Sequence, residues 1–137
     1  MIATTWLAAQ QAPVEGEGSL SANVYSAEQL ADLRAQGRPV FVNYTAAWCV
    51  TCLANEQVAF TSEKVQSWFR DNDITYLKAD WTRRDDSITQ ELAEYGRSGV
   101  PLYLYFPSAG RAPVILPQIL TPAIVLDALE AAERNSG

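Results

Sequence analysis

Between Pro39 and Cys52 the chain reads PVFVNYTAAWCVTC, and the fold is decided there. Pro39 to Thr45 is a β-branched and aromatic run of strand length, apolar on both faces, as expected of a central strand covered by helices on each side. One polar residue, Asn43, interrupts it. Cys49-Val50-Thr51-Cys52 follows closely behind and starts a helix predicted to run to about Ala59.

On either side of this stretch, strand and helix signals alternate. Upstream, Ala22 to Tyr25 suits a short strand, and Ser26 stands three residues before Gln29 at capping-box spacing. Leu30 and Leu33 give that helix its apolar face, and Gly37 stops it. Downstream, Ser62 to Arg70 places Val65, Trp68 and Phe69 at i, i+3 and i+4, and Ile74 to Asp80 reads as a second interior strand. Asp85 or Asp86 can cap a helix carrying Ile88, Leu92 and Tyr95, which Gly96 ends. Leu102 to Phe106 and Pro113 to Leu116 flank a Pro107-Ser108-Ala109-Gly110 turn as an antiparallel hairpin. Thr121 as N-cap, with Pro122 at the first helical position, opens a last helix lined by Val125, Leu129 and Ala132. The order β-α-β-α-β-α-β-β-α predicts an α/β fold, a central mixed sheet flanked by helices on both faces. No internal repeat is present.

At 137 residues the chain is one domain's worth, able to bury a core without disulfides or metals. It holds 2 Cys and 0 His, which excludes Ser-His-Asp triads, Cys-His proteases and His-ligated metal sites built from this chain alone. A net charge of -6 opposes nucleic acid and anionic membrane surfaces as partners. Arg83-Arg84 is followed at once by Asp85-Asp86, so the run is expected to be solvated and close to neutral. Met1 to Gln11 lacks a basic n-region, and its apolar stretch is too short for a signal peptide or a spanning helix. With the Pro/Gly/acidic stretch Ala12 to Gly18, residues 1–20 are expected to be a linker or the remnant of a membrane junction, and residues 21–137 the folded domain.

Both cysteines lie in one motif at a helix start. There the free backbone N–H groups and the helix dipole favour the thiolate of Cys49, the form that attacks disulfides. Cys52, one turn on, is within the separation a disulfide tolerates, so Cys49 can attack and Cys52 can resolve. Three other readings stand beside this redox pair. A structural bridge closing so short a loop would contribute on the order of 2 kcal/mol. A zinc site would need two ligands from elsewhere, and the cysteines could be unrelated buried thiols. Gly99-Val100-Pro101 precedes the hairpin strand, where Pro101 is either a cis-proline beside which Val100 offers backbone groups to an incoming peptide, or a plain proline opening a strand. Trp48 either shields the thiol and helps form a docking face, or is a partly buried aromatic at a strand end.

Residues 22–134 resemble the thioredoxin superfamily, and within it the C-terminal periplasmic domain of the thiol:disulfide interchange protein DsbD family. The resemblance is carried by PVFVNYTAAWCVTC with Asn55-Glu56, by Phe60-Thr61-Ser62 and Val65, by Lys78-Ala79-Asp80-Trp81-Thr82, and by Tyr95-Gly96 with Gly99-Val100-Pro101-Leu102. It implies a thioredoxin-like fold and a protein-disulfide reductase whose only redox group is the Cys49–Cys52 pair, with no bound cofactor and no metal. Cys49 would be the exposed nucleophile, Cys52 its buried partner and Pro101 the cis-proline, with Trp48, Val50, Val100 and Pro101 docking the substrate. The implied partners are protein thiols and disulfides: a membrane-embedded redox domain of the same polypeptide supplies electrons, and a periplasmic thiol-disulfide domain receives them. The segment itself would be a periplasmic monomer that does not span the membrane. The alternatives are a free-standing thioredoxin-like reductant and a non-catalytic binding domain that keeps the cysteines as a structural bridge.

The sequence departs from the family at one position. A buried aspartate is usual in the strand before the motif, where this chain has Asn43, while the family's glutamate after the second cysteine is kept as Glu56. A carboxylate there could accept the proton of Cys52 when it resolves a mixed disulfide, which an amide cannot do. The expectation is that Glu56, or water, takes that role; the competing reading makes Glu56 an ordinary solvated helix residue.

Overall fold

A computed structural model describes residues 20–135. The linker expected at residues 1–20 therefore lies, but for Leu20, outside the described residues. The elements are β1 (Asn23–Val24), α1 (Ala27–Ala35), β2 (Val40–Thr45), α2 (Val50–Ala59), α3 (Glu63–Asp71), β3 (Thr75–Asp80), α4 (Asp86–Glu94), β4 (Leu102–Phe106), β5 (Val114–Ile115) and α5 (Pro122–Arg134). Two helices, not one, separate β2 from β3, so the predicted order gains an element. Ser62 is the cause, because its side chain caps a new helix by accepting from the Val65 N–H.

Other boundaries follow equally local chemistry. Ser26 and Thr121 accept from the N–H groups of Gln29 and Ile124. Asp85 occupies the N-cap position of α4 but makes no side-chain capping bond. Gly37 takes a φ of +76°, which lets the Arg38 N–H return to the Leu33 carbonyl and close α1. Both edge strands are shorter than predicted. Each has a single neighbour, β1 on β3 and β5 on β4, and Pro113 has no N–H to extend β5 backwards.

The strand order is β1-β3-β2-β4-β5. β1 and β2 both run parallel to β3, β4 runs antiparallel to β2, and β5 antiparallel to β4. β2 is thus hydrogen-bonded on both sides, and all six of its residues are buried. Side-chain alternation divides the core into two layers. Val40, Val42 and Tyr44 join Leu77, Ala79, Leu102 and Leu104 against Leu33 of α1 and Leu92 of α4. On the other face Phe41 packs at centroid distances of 5.6 Å from Phe60, 5.5 Å from Phe69 and 6.0 Å from Tyr76, over Val125 and Leu129 of α5. Asn43 shares that second face, which α2 covers.

Two polar ties fix the helices to this sheet. Buried Asn55 of α2 donates to the Tyr103 hydroxyl at 2.8 Å and to the Gln118 carbonyl at 2.7 Å, and accepts from the Leu120 N–H at 3.0 Å. Near the end of α5, Glu133 accepts from the Tyr105 hydroxyl at 2.6 Å, the Ser108 hydroxyl at 2.8 Å and the Ser108 N–H at 3.1 Å, and pairs with Arg111. Burial alone would raise the Glu133 carboxyl, but these hydrogen bonds outweigh it and hold its pKa below the ordinary value.

Replacing Asn55 with Ala should cost about 2–4 kcal/mol in urea unfolding, because it strands three partners in or near the core. Glu133→Gln should cost about 1–2 kcal/mol at neutral pH, a figure reduced for partial exposure. Since the folded-state pKa of Glu133 is depressed, its contribution is complete above the unfolded-state value and is lost as pH falls through the folded one. The gap between native and Glu133→Gln stabilities should therefore close on acidification; a constant gap would show that the carboxylate charge contributes nothing.

Candidate active site

The chain leaves β2 at Thr45 and reaches the start of α2 within four residues. Cys49 is the N-cap, with extended backbone, and its sulfur accepts from the Cys52 N–H at 3.1 Å. No acidic residue occupies the first turn of α2, so nothing opposes the positive end of the helix. Both features favour a thiolate at Cys49 once the pair is reduced. The two cysteines are joined in a disulfide with a Cα separation of 5.2 Å. Cys49 keeps 7% of its surface and Cys52 none. Among the described residues no cluster of three or more His, Cys, Asp or Glu could hold a metal ion.

The Val100–Pro101 peptide bond is cis. The Val100 carbonyl lies 4.0 Å from the Cys49 sulfur, and its side chain packs on Ala46, Cys49 and Cys52. Beyond it, the Arg97 guanidinium donates to the Pro101 carbonyl at 3.2 Å. On the opposite flank Trp48 is 45% exposed and Val50 79%. Trp48 is pinned: its ring N–H donates to the Thr82 carbonyl at 2.9 Å, and its ring lies 5.8 Å from that of Trp81. Thr82 also accepts the Ala47 N–H at 2.8 Å and is itself held by the Asp80 carboxylate. Cys49, Trp48, Val50, Val100 and Pro101 are therefore gathered at one end of the sheet, beyond the carboxyl ends of β2 and β3, where α/β sheets commonly bind ligands.

Glu56 is not an ordinary solvated helix residue. Its side chain is 18% exposed, and Lys78 approaches the carboxylate at 3.6 Å. The Asn43 amide at 3.1 Å and the Thr45 hydroxyl at 2.9 Å both donate to one carboxylate oxygen. Asn43 is wholly buried, and its amide also donates to the Tyr76 hydroxyl at 2.9 Å. A groove lined by Thr45, Leu53, Glu56, Lys78, Asp80 and Thr82 gives this carboxylate a path to solvent.

Sequence reasoning missed three participants: Lys78, Thr82 and Arg84. Lys78 and Thr82 lay in a stretch that carried the family resemblance, but no role followed from it. Arg84 lay in the run expected to be solvated and close to neutral, and all four residues of that run, Arg83 to Asp86, are exposed; what the reading did not foresee is the Arg84 contact with two indole rings. The residue is exposed, yet its guanidinium sits 4.5 Å from the centre of the Trp48 ring and 5.5 Å from that of Trp81. The adjacent acids do not neutralise it at contact, since neither Asp85 nor Asp86 is within ion-pairing distance of it. No local pattern announces such stacking; it depends on the path of the backbone after Trp81.

Comparison with known proteins agrees with this geometry. A thioredoxin-like family profile matches residues 22–108. The thiol:disulfide interchange protein DsbD of Yersinia pestis (strain Pestoides F) is 31% identical over 100 residues, which is 73% of this chain and 15% of that protein. The chain thus spans only a small part of the curated relatives it matches. The C-terminal domain of Neisseria meningitidis DsbD in its oxidised form superposes with a TM-score of 0.62 at 19% identity, covering 84% of this chain and 99% of that one. A thioredoxin from Thermus thermophilus gives 0.61 at 22%, covering 83% and 87%. These two likenesses establish the fold. Joined to the profile match and to a Cys-x-x-Cys disulfide at the start of α2, they place the chain in the thioredoxin-like family, with the redox-active pair of a thiol-disulfide oxidoreductase.

Proposed function

We propose that this domain is a reductive electron relay, accepting electron pairs from a membrane-embedded dithiol domain of its own polypeptide and passing them to periplasmic protein disulfides. The observation that carries the reading is the asymmetry of the pair: Cys49, at a helix start beside the Val100 carbonyl, is nearly buried rather than exposed as expected but keeps a small accessible surface, while Cys52 is fully enclosed. The similarity to proteins named DsbD supports the partners and the periplasmic setting. No helix among the described residues is long and apolar enough to cross a membrane.

The reduced Cys49 thiolate attacks one sulfur of a partner disulfide. The partner's S–S bond breaks, one partner sulfur leaves as thiolate, and a Cys49–partner disulfide forms against Val100 and Pro101, with Trp48 and Val50 covering the contact. Cys52 then gives up its proton and attacks the Cys49 sulfur. The second partner thiolate leaves, and the Cys49–Cys52 disulfide is restored. Two electrons and, after protonation, two protons pass to the partner, so no other redox cofactor takes part. Glu56 accepts the Cys52 proton. It stands one helical turn from Cys52, is oriented by Asn43, Thr45 and Lys78, and reaches water through the groove.

Equilibration with glutathione should give a Cys49/Cys52 potential nearer thioredoxin's, about −270 mV, than the value of about −120 mV that marks a strong oxidant. A potential at the oxidising end would reverse the proposed direction of flow. In Glu56→Gln, stopped-flow resolution of a preformed mixed disulfide should slow about tenfold to a hundredfold near pH 6, and the gap to the native rate should narrow as pH rises and hydroxide replaces the carboxylate as base. Parallel pH profiles would remove Glu56 from the proton path.

A further inference from the structure

Arg84 combines three features that the exchange chemistry leaves unused. Its backbone holds a φ of +53°, a left-handed conformation uncommon for a residue with a side chain and found disproportionately at functional sites. Its guanidinium stacks on Trp48, next to Cys49 in the chain, with Trp81 behind. Its guanidinium carbon lies over the ring, and among the described residues its N–H groups have no hydrogen-bond acceptor. The ion pairs among the described residues are Arg38–Asp73, Lys78–Glu56, Arg111–Glu133 and Arg134–Glu130, so Arg84 has no carboxylate partner. Nor has Arg97, whose guanidinium is satisfied only by the Pro101 carbonyl on the other flank of the pair.

Arg84 thus lies over the ring of the residue before Cys49, and Arg97 on the carbonyl of Pro101, whose neighbour Val100 faces the Cys49 sulfur, in a chain whose net charge is -6. Asp80, the acid closest in sequence to this loop on the strand side, accepts from Thr82 and makes no ion pair with Arg84. An arginine stacked on an aromatic face is pre-organised to receive a carboxylate edge-on, which a free lysine is not. We infer that Arg84, supported by Arg97, is a specificity-determining residue, and that the disulfide partner this face fits is a protein segment carrying Asp or Glu beside its reactive cysteine. The inference rests on the exchange reaction proposed above, with Cys49 attacking and the partner disulfide taking both electrons.

The test uses the reduced native chain and two synthetic peptides, each holding one cysteine in a mixed disulfide with the same chromophoric thiol, flanked in one by Asp and Glu and in the other by Lys and Arg. Each rate of chromophore release is divided by the rate of dithiothreitol with the same peptide, which removes the effect of the flanks on intrinsic reactivity. At about 0.1 M salt, where the Debye length of about 10 Å leaves only nearby charges effective, the acidic peptide should be preferred about tenfold. That preference should collapse at about 1 M salt. Arg84→Gln should reduce it to about twofold or threefold, Arg84→Glu should invert it, and Arg84→Lys should retain only part of it, since lysine keeps the charge but not the edge-on geometry.

Equal rates with the two peptides, or a preference for the basic one, would overturn the assignment on the native chain alone, whatever the variants do. So would an unaltered preference in a folded Arg84→Glu protein. Release no faster than that given by Cys49→Ser, with either peptide, would instead defeat the oxidoreductase reading itself, so the two failures are distinct.

Discussion

Strand β2 is hydrogen-bonded on both sides and covered on both faces, and the position of every reactive group follows from that enclosure. A strand so confined cannot slip by one residue without turning a whole set of apolar side chains from one packed layer into the other. Its end is therefore a fixed point, and the few residues from Ala46 to Trp48 carry that precision to the first turn of α2. The free N–H groups of that turn meet the Cys49 sulfur because Thr45 cannot be elsewhere. Asn55 completes the arrangement from the other direction, holding α2 to β4 and to the segment ahead of α5.

The same enclosure explains the division of polar work between Asn43 and Glu56. Position 43 lies inside the sheet, where a lone charge would be costly. An amide there donates to the Glu56 carboxylate and to Tyr76. A second carboxylate at that place would stand against Glu56, and one of the two would have to hold a proton. The ionisable group comes instead from a helix, beside Lys78 and a groove open to water, where charge can be compensated. Keeping the acid on the helix alone, with an amide in the strand, spares the interior a bare charge.

What could be read from the residues alone was what local rules govern. The two-faced apolar run of β2, the Cys-x-x-Cys helix start and the Thr121-Pro122 cap each declare themselves within a few residues. The separate helix α3 was visible in the Ser62 to Arg70 periodicity, although the predicted order folded it into its neighbour. The fate of Glu56 was not visible, because its partners come from β2 and β3, and an exposed glutamate has the same letters as a buried one. Nor was the Arg84 stack, which joins residues 36 apart through a left-handed backbone turn. Charge counting along the chain could see Asp85 and Asp86 beside Arg84, but not the two indole rings that the fold brings to its guanidinium.

Complete burial of Cys52 has a consequence for chemical durability. Small oxidants can meet the pair only at Cys49, the one of the two that keeps any accessible surface. If peroxide converts that sulfur to a sulfenic acid, the nearest nucleophile is the enclosed Cys52, one helical turn away, which condenses with it and expels water as the disulfide forms. The irreversible sulfinic and sulfonic states are thereby pre-empted, and the damaged protein returns to the oxidised form it would reach in ordinary turnover. The geometry that keeps one sulfur out of reach also returns accidental oxidation to a disulfide that any thiol able to reduce the pair can repair.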